Sequence, residues 1–327
     1  MKIQHHPGTP CNIKVQECYE KIPLIDEKWG FSFPEKLEIE LTRKCNLNCI
    51  HCWNNSPKEN EEFPFELIKE NVNGFRGLDI KFTGGEPLLY NSFIQLLDLC
   101  KENEHNIEIN TNGTLIDKNV SNILKRYTKR INISLHGSTK EIHEDVTKKY
   151  GSYNKTIDGI KTIQNSELNS TINYTVMRQN LDDITNMMFL AKKLNVESLR
   201  FNILRNCGRG KTLEQILPEE VAVLRKNINN SEIGIKLEKS ELYTSGYLMD
   251  LDDSKFYGCG GMRNQVYISS NGDVSPCSLS KNLIGNIKQD DLVKIWYNEK
   301  ASEFRKEFVC SNKRCSLKER CAGKCKA

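Results

Sequence analysis

Apolar and charged residues alternate over Lys36-Leu37-Glu38-Ile39-Glu40-Leu41, the period-two pattern of a strand with one buried face. Over 65–75 the apolar positions recur at helical spacing instead, and Gly74 and Gly77 end the run. The same exchange repeats down the chain. Strands are expected over 78–82, 107–110, 131–135, 171–177 and 198–204. Helices are expected over 92–101 and 117–127, in segments reaching 164, and over 181–194. Six strand–helix units of this length build a parallel sheet. They are too few to close an eight-unit barrel, so the pattern predicts an open, partial (β/α)6 TIM-like barrel over 36–210. Residues 1–35, with Pro7, Pro10, Pro23 and Pro34, read as an irregular lead-in. A further helix over 213–229 and a polar bridge fill 211–258. Beyond it the period changes again. Residues 265–269 are strand-like, Asn271-Gly272 is a two-residue turn signal, and 273–276 returns toward Cys277. A last helix is expected over 290–309, carrying Ile295, Trp296, Phe304 and Phe308.

Composition narrows the class. In 327 residues, 38% are hydrophobic and 28% charged, enough for a buried core and unlike a disordered chain. The net charge of +4 arises from interspersed acids and bases, which leaves no footprint for nucleic acid or a membrane surface. The N-terminal MKIQHHPGTPC has no apolar core or cleavage site of a secretory signal, and no run is apolar enough to span a bilayer. The cytoplasm is the expected location. There, the 13 cysteines speak for metal ligation rather than disulfides.

The cysteines fall in two groups. Cys45, Cys49 and Cys52 share eight residues in a CxxxCxxC spacing, directly after the first expected strand. Thiolates are soft ligands for iron–sulfur clusters, zinc or copper(I). A structural zinc site asks for four ligands, usually as two CxxC-like pairs. A compact trio without a neighbouring fourth points to a 4Fe–4S cluster with one iron open to an exogenous ligand. Cys259, Cys277, Cys310, Cys315, Cys321 and Cys325 crowd the last quarter and leave open a second iron–sulfur region or a zinc ribbon. The glycine- and cysteine-rich stretches all follow strands, which places them on the C-terminal rim of the barrel, where such folds keep their active sites.

The trio, the Gly84-Gly85-Glu86-Pro87 stretch after the second strand and the order of units together resemble the radical S-adenosylmethionine (SAM) superfamily over roughly 36–210. The resemblance implies that Cys45, Cys49 and Cys52 hold a 4Fe–4S cluster whose open iron is chelated by the methionine moiety of SAM. Reduction would release a 5′-deoxyadenosyl radical that abstracts hydrogen from substrate. It assigns to SAM His51, at a usually aromatic position beside adenine, and Gly84, Gly85, Glu86 and Pro87, where bare backbone can approach the amino group. It adds Asn110 and Asn112, the hydroxyl of Ser134, and Ile203 against adenine. Plain roles stand beside these: a surface imidazole, an ordinary Asn-Gly turn, a cap on 138–143, and barrel core.

Residues 259–327 resemble the SPASM extension, through the cysteines, Gly272 and Gly285-Asn286-Ile287. That implies one or two auxiliary 4Fe–4S clusters, with Cys259, Cys277 and Cys325 serving one and Cys310, Cys315 and Cys321 the other. The chain departs from the pattern in four places. Four residues part Cys310 from Cys315 where CxxC is usual, and no late cysteine follows Cys325. Ser278 stands where the sulfatase-maturing branch has a carboxylate, and His136 where an aspartate is usual. The last two turn the expectation away from sulfatase maturation.

The expected function is therefore radical modification of a peptide or protein: a crosslink, a thioether or an epimerisation in a ribosomal peptide precursor. Cys207, on the loop after the sixth strand, would donate a hydrogen atom, complete an auxiliary cluster, or be a plain buried cysteine. A maturase of a small-molecule or haem-type cofactor shares the architecture. An iron–sulfur electron-transfer protein without SAM chemistry is the alternative of another class, and the Gly84–Pro87 loop argues against it. The expected partners are a flavodoxin- or ferredoxin-like reductant and, because only about 36 residues precede the barrel, a separate leader-binding protein or direct core binding.

Overall fold

A computed structural model of the protein describes residues 33–58, 61–229, 233–237 and 260–306. The lead-in, most of the bridge, and Cys11, Cys18, Cys259, Cys310, Cys315, Cys321 and Cys325 lie outside the described residues. Six parallel strands follow one another in chain order: β1 (Lys36–Thr42), β2 (Asp79–Gly84), β3 (Asn106–Thr111), β4 (Thr128–Ser134), β5 (Ser170–Val176) and β6 (Ser198–Ile203). Helices α1 (Phe65–Val72), α2 (Phe93–Glu102), α3 (Lys118–Tyr127), α4 (Lys140–Thr147), α5 (Ser152–Asn165), α6 (Ile184–Lys193) and α7 (Pro218–Asn229) connect and flank them.

The strand pattern does what its period predicts. Leu37, Ile39 and Leu41 are almost completely buried, while Glu38 between them lines the barrel interior. Parallel register sets Ile39 beside Phe82, Phe82 beside Ile109, and Ile109 beside Ile131, one apolar row against the helical layer. Each such side chain contributes about 1.5–3 kcal/mol by leaving water. The interior row is polar instead, with Lys81, Asn110, Asn173 and Arg200. Side-chain caps fix where helices begin: Asp117 accepts from the Val120 N–H at 2.8 Å, and Thr139 rather than Ser134 caps α4.

The expected hairpin is present as β7 (Gln265–Ile268) and β8 (Asp273–Ser275), antiparallel across a turn in which Gly272 takes φ +90°. Its placement is not written in its period. β7 adds in parallel to β1, Lys36 beside Gln265 and Ile39 beside Ile268, so the cysteine-rich region continues the barrel sheet. With β9 (Gly285–Asn286) the order becomes β6-β5-β4-β3-β2-β1-β7-β8-β9, which leaves the barrel open.

The helix expected over 290–309 is instead two, Leu292–Tyr297 and Glu299–Lys306. Asn298 breaks it, since its Oδ1 accepts from the Ala301 N–H at 2.8 Å and its Nδ2 donates to the Ile284 carbonyl at 3.0 Å. Ile295, Trp296 and Phe304 stay buried on both sides of the break, which hides it from the hydrophobic spacing. Among the described residues no helix is long and apolar enough to cross a membrane.

Candidate active site

A cavity of about 350 Å³ opens at the C-terminal ends of the strands. Cys45, Cys49, His51 and Cys52 reach it from the loop after β1, Gly84 and Gly85 from the end of β2, and Asn110 and Asn112 from β3. Ser134 and His136 join from β4, Ile203, Cys207 and Arg209 from β6 and its loop, and Ser278 and Leu279 from beyond β8. Residues the sequence marked as separate motifs thus meet in one place. Glu86 and Pro87 are the exceptions, buried behind the rim, with the Glu86 carboxyl turned to the end of β3 as well as to its own loop.

The cysteine loop is held on every side. Asn48 N–H donates to the Thr147 carbonyl at 3.0 Å and Ile50 N–H to the Val146 carbonyl at 2.9 Å, pinning it to the end of α4. Asn112 Nδ2 donates to Asn46 Oδ1 at 2.8 Å, and Asn46 Nδ2 to Thr114 Oγ1 at 2.7 Å. From the β6 loop, Arg209 N–H donates to the Cys52 carbonyl at 2.9 Å and its Nε to the Cys49 carbonyl at 2.7 Å. The sequence reading missed Arg209. The signal available was a cation between Gly208 and Gly210 on a rim loop already marked for Cys207.

The glycines of the β2 loop serve the chain before any ligand. A Cβ on Gly84 would stand 2.3 Å from the Thr42 carbonyl oxygen, and one on Gly85 2.2 Å from that of Lys44. Gly85 N–H donates to Thr42 at 2.6 Å and Glu86 N–H to Lys44 at 2.8 Å, so two rim loops interlock through backbone alone. Only glycine permits that approach.

Burial sets the charges here. It pushes the Cys45 thiol up to about 11, with the charges of Glu86 and Cys52 adding to it, and raises Cys49 further. Both are neutral thiols unless a metal takes their protons, so loading a cluster releases protons and is favoured by raising pH. Burial lowers His51 to about 4, with Arg209 adding to it, lowers His143 to about 4, and holds His136 well below the ordinary imidazole value. All three are therefore neutral imidazoles near pH 7. His136 Nδ1 accepts from Thr175 N–H at 3.2 Å and His143 Nδ1 from His136 N–H at 3.1 Å, which puts each proton on Nε2. His51 packs edge-on to His136 at 4.5 Å, and its buried Nδ1 has no partner among the described residues.

Glu86 is fully buried and burial pushes its carboxyl up to about 7, against donors at Leu88 N–H, Thr111 Oγ1 (2.7 Å) and Asn112 N–H (2.8 Å) that pull it down. A carboxyl raised on folding costs stability as pH climbs from its unfolded value through its folded one. For Glu86→Gln the loss of stability relative to wild type should be about 2 kcal/mol smaller near pH 7.5 than near pH 5.5. Anaerobic thermal unfolding at both pH values checks this, and a pH-independent difference refutes it.

The donor set fits an iron–sulfur cluster. Three thiols converge on one cavity, yet among the described residues no three His, Cys, Asp or Glu side chains meet at a single-ion position. A cluster several ångströms across accepts thiolates that do not meet at a point. Of the C-terminal cysteines only Cys277 is described, half-buried at the end of the hairpin and lining the polar interior beside Lys36 and Glu108.

Comparison with known proteins agrees with this geometry. The model of the radical SAM superfamily matches residues 39–191, and that of the SPASM iron–sulfur cluster-binding domain matches 259–326. An AdoMet-dependent heme synthase of Methanosarcina barkeri is 26% identical, over 90% of this chain and 91% of that protein. The antilisterial bacteriocin subtilosin biosynthesis protein AlbA of Bacillus subtilis is 25% identical, over 90% of this chain and 67% of its own. The crystal structure of Streptococcus suis SuiB bound to S-adenosylmethionine shares the fold with a TM-score of 0.74, at 22% identity, covering 90% of this chain and 73% of that one. The chain belongs to the radical SAM superfamily, as an enzyme with a C-terminal SPASM iron–sulfur domain whose cofactors are S-adenosylmethionine and iron–sulfur clusters.

Proposed function

We propose that the enzyme modifies a peptide by radical chemistry, forming a crosslink, a thioether or a D-residue. The observation that carries this reading is the chemistry of the cavity wall. Asn110, Asn173, Thr175 and Asn202 present amides and a hydroxyl, the groups that pair with peptide N–H and C=O. Lys81, Arg200 and Arg205 outnumber Glu38 there and favour a segment bearing an acidic or carbonyl-rich group. Cys45, Cys49 and Cys52 would hold the SAM-binding cluster, and Cys277 would serve an auxiliary one with cysteines outside the described residues. With SAM bound, such a cluster would supply the electron for reductive cleavage of the S–C5′ bond. His51, Asn112, Ser134 and Ile203 orient that ligand, Gly84 and Gly85 form the wall it meets, and Arg209 keeps the cysteine loop closed over it. Cys207 lines the same cavity and would give a hydrogen atom to a substrate radical.

A haem-type substrate is the second reading, favoured by the similarity to the heme synthase. A porphyrin wants a broad apolar slot, and this wall breaks its apolar side chains, Trp53, Ile203, Leu204 and Leu279, with amides and charges. A flavodoxin- or ferredoxin-like protein would supply electrons, and a separate protein would present the peptide leader. The test is anaerobic reaction of the reconstituted enzyme with SAM, dithionite and peptides encoded beside its gene. Peptide-stimulated 5′-deoxyadenosine is expected, with loss of two hydrogens for a crosslink, or unchanged mass with deuterium uptake from solvent for epimerisation. Turnover of a porphyrin with no change in any peptide would overturn the reading.

A further inference from the structure

We propose that Asn54 is a positioning residue that holds an amide oxygen, and not an N–H, against the sulfur of Cys52, and so keeps the reduction potential of the cluster bound there low. Asn54 is 5% exposed, and its Oδ1 lies 2.9 Å from Cys52 Sγ. The two ends of an amide are nearly the same size, so its surroundings decide which faces the sulfur. Here they leave one choice. Ser56 N–H donates to Oδ1 at 3.1 Å, and Nδ2 donates to Glu40 Oε1 at 3.2 Å. Glu40 has no exposed surface, and its remaining partners are donors as well: Arg43 Nε at 2.8 Å on Oε1 and the Tyr267 hydroxyl on Oε2. A carboxylate met only by donors requires the NH₂ end of Asn54, which sends the oxygen toward Cys52.

A thiol at Cys52 donates to that oxygen. A ligating thiolate has no proton to give, while Glu40 and Ser56 hold the amide as before. Hydrogen bonds to cluster sulfurs are one of the levers on an iron–sulfur potential. Withholding one, and presenting the negative end of a carbonyl dipole, favours the oxidised cluster. A strongly reducing cluster is what cleavage of a sulfonium S–C bond requires. The network also crosses the two matched regions. Tyr267 stands on β7, pairs with Glu40 on β1, and packs edge-on to Trp53 at 5.6 Å. The first strand of the iron–sulfur extension thus sets the orientation of an amide beside the other cluster.

The inference rests on Cys52 being a cluster ligand, and the test separates the two. Anaerobic redox titration of the holoenzyme follows the reduced EPR signal that changes on adding SAM. Asn54→Leu, which keeps the shape and removes the oxygen, should raise the midpoint potential. Glu40→Gln keeps the shape of the side chain and offers an N–H toward Asn54, which leaves the Ser56 N–H alone to hold the amide oxygen, so the reversed amide becomes populated. It should raise the midpoint too, and it decides the matter where Asn54→Leu loads no cluster. A role in folding alone would lower iron content and leave the midpoint where it was. Wild-type midpoints in loaded Asn54→Leu or Glu40→Gln would overturn the proposal. A wild type with no SAM-sensitive signal would overturn the ligand assignment itself.

Discussion

Anaerobically reconstituted Cys49→Ala will form 5′-deoxyadenosine from SAM and dithionite more than about 100-fold more slowly than wild type, beyond the loss usual for a partner outside the ligand set. The reasoning separates the thiol from the loop. The Cys49 carbonyl accepts from Arg209 Nε at 2.7 Å and from Cys52 N–H at 3.2 Å, and alanine keeps both bonds. The pins from Asn48 and Ile50 to α4 are backbone bonds as well, so the loop should hold its course. What disappears is one of the three proposed ligands, and a cluster with two protein thiolates and SAM would have no closed set. The SAM-sensitive EPR signal should vanish while far-ultraviolet circular dichroism is unchanged. Cys100→Ala is the matched control. Cys100 is completely buried on α2 in the apolar core, where burial pushes its thiol up to about 12. Its loss should lower stability by about 1–2 kcal/mol and leave deoxyadenosine formation intact. Deoxyadenosine formation in Cys49→Ala at the level of Cys100→Ala would refute the cluster assignment.

The barrel was legible because its signals are local and periodic. Leu37, Ile39 and Leu41 mark a strand whoever its neighbour is, and a helix returning between strands forces parallel pairing. The cysteine trio and Gly84-Gly85 are contiguous, and strand ends on one rim bring them together without further information. The partnership of β7 was hidden because Val266 and Ile268 announce only a buried face. Nothing in their alternation names β1, and Tyr267 and Glu40 lie 227 residues apart. Glu86 also straps the β2 loop to the β3 loop, a contact that its place beside two glycines does not announce. Arg209 and Asn54 escaped because their work is done on the backbone and side chains of the cysteine loop. No spacing rule describes a residue that acts on another residue's atoms.

Gly208→Ala should cost the enzyme more activity than any other single methyl group on the rim loops outside the glycines of the β2 loop. Gly208 takes φ +50°, where a side chain costs about 1–2 kcal/mol. Its Cβ would also stand 2.1 Å from the Cys52 carbonyl oxygen and 2.4 Å from that of Trp53. Both are backbone atoms of the cysteine loop and cannot rotate away, so about 1–3 kcal/mol of overpacking is added. The cheapest relief is for the β6 loop to lift, which breaks the Arg209 bonds to Cys52 and Cys49. Gly151 isolates the conformational part. It takes φ +78° at the start of α5, and a Cβ there meets nothing within 4 Å. Gly151→Ala should lose about 1–2 kcal/mol of stability and keep wild-type deoxyadenosine formation and cluster lifetime. Gly208→Ala should release iron to a chelator faster and form deoxyadenosine at least about 10-fold more slowly, as loss of a supporting hydrogen-bond partner does. Equal chelation rates in the two variants would mean that the β6 loop does not clamp the cysteines, and Arg209 would lose its role with it.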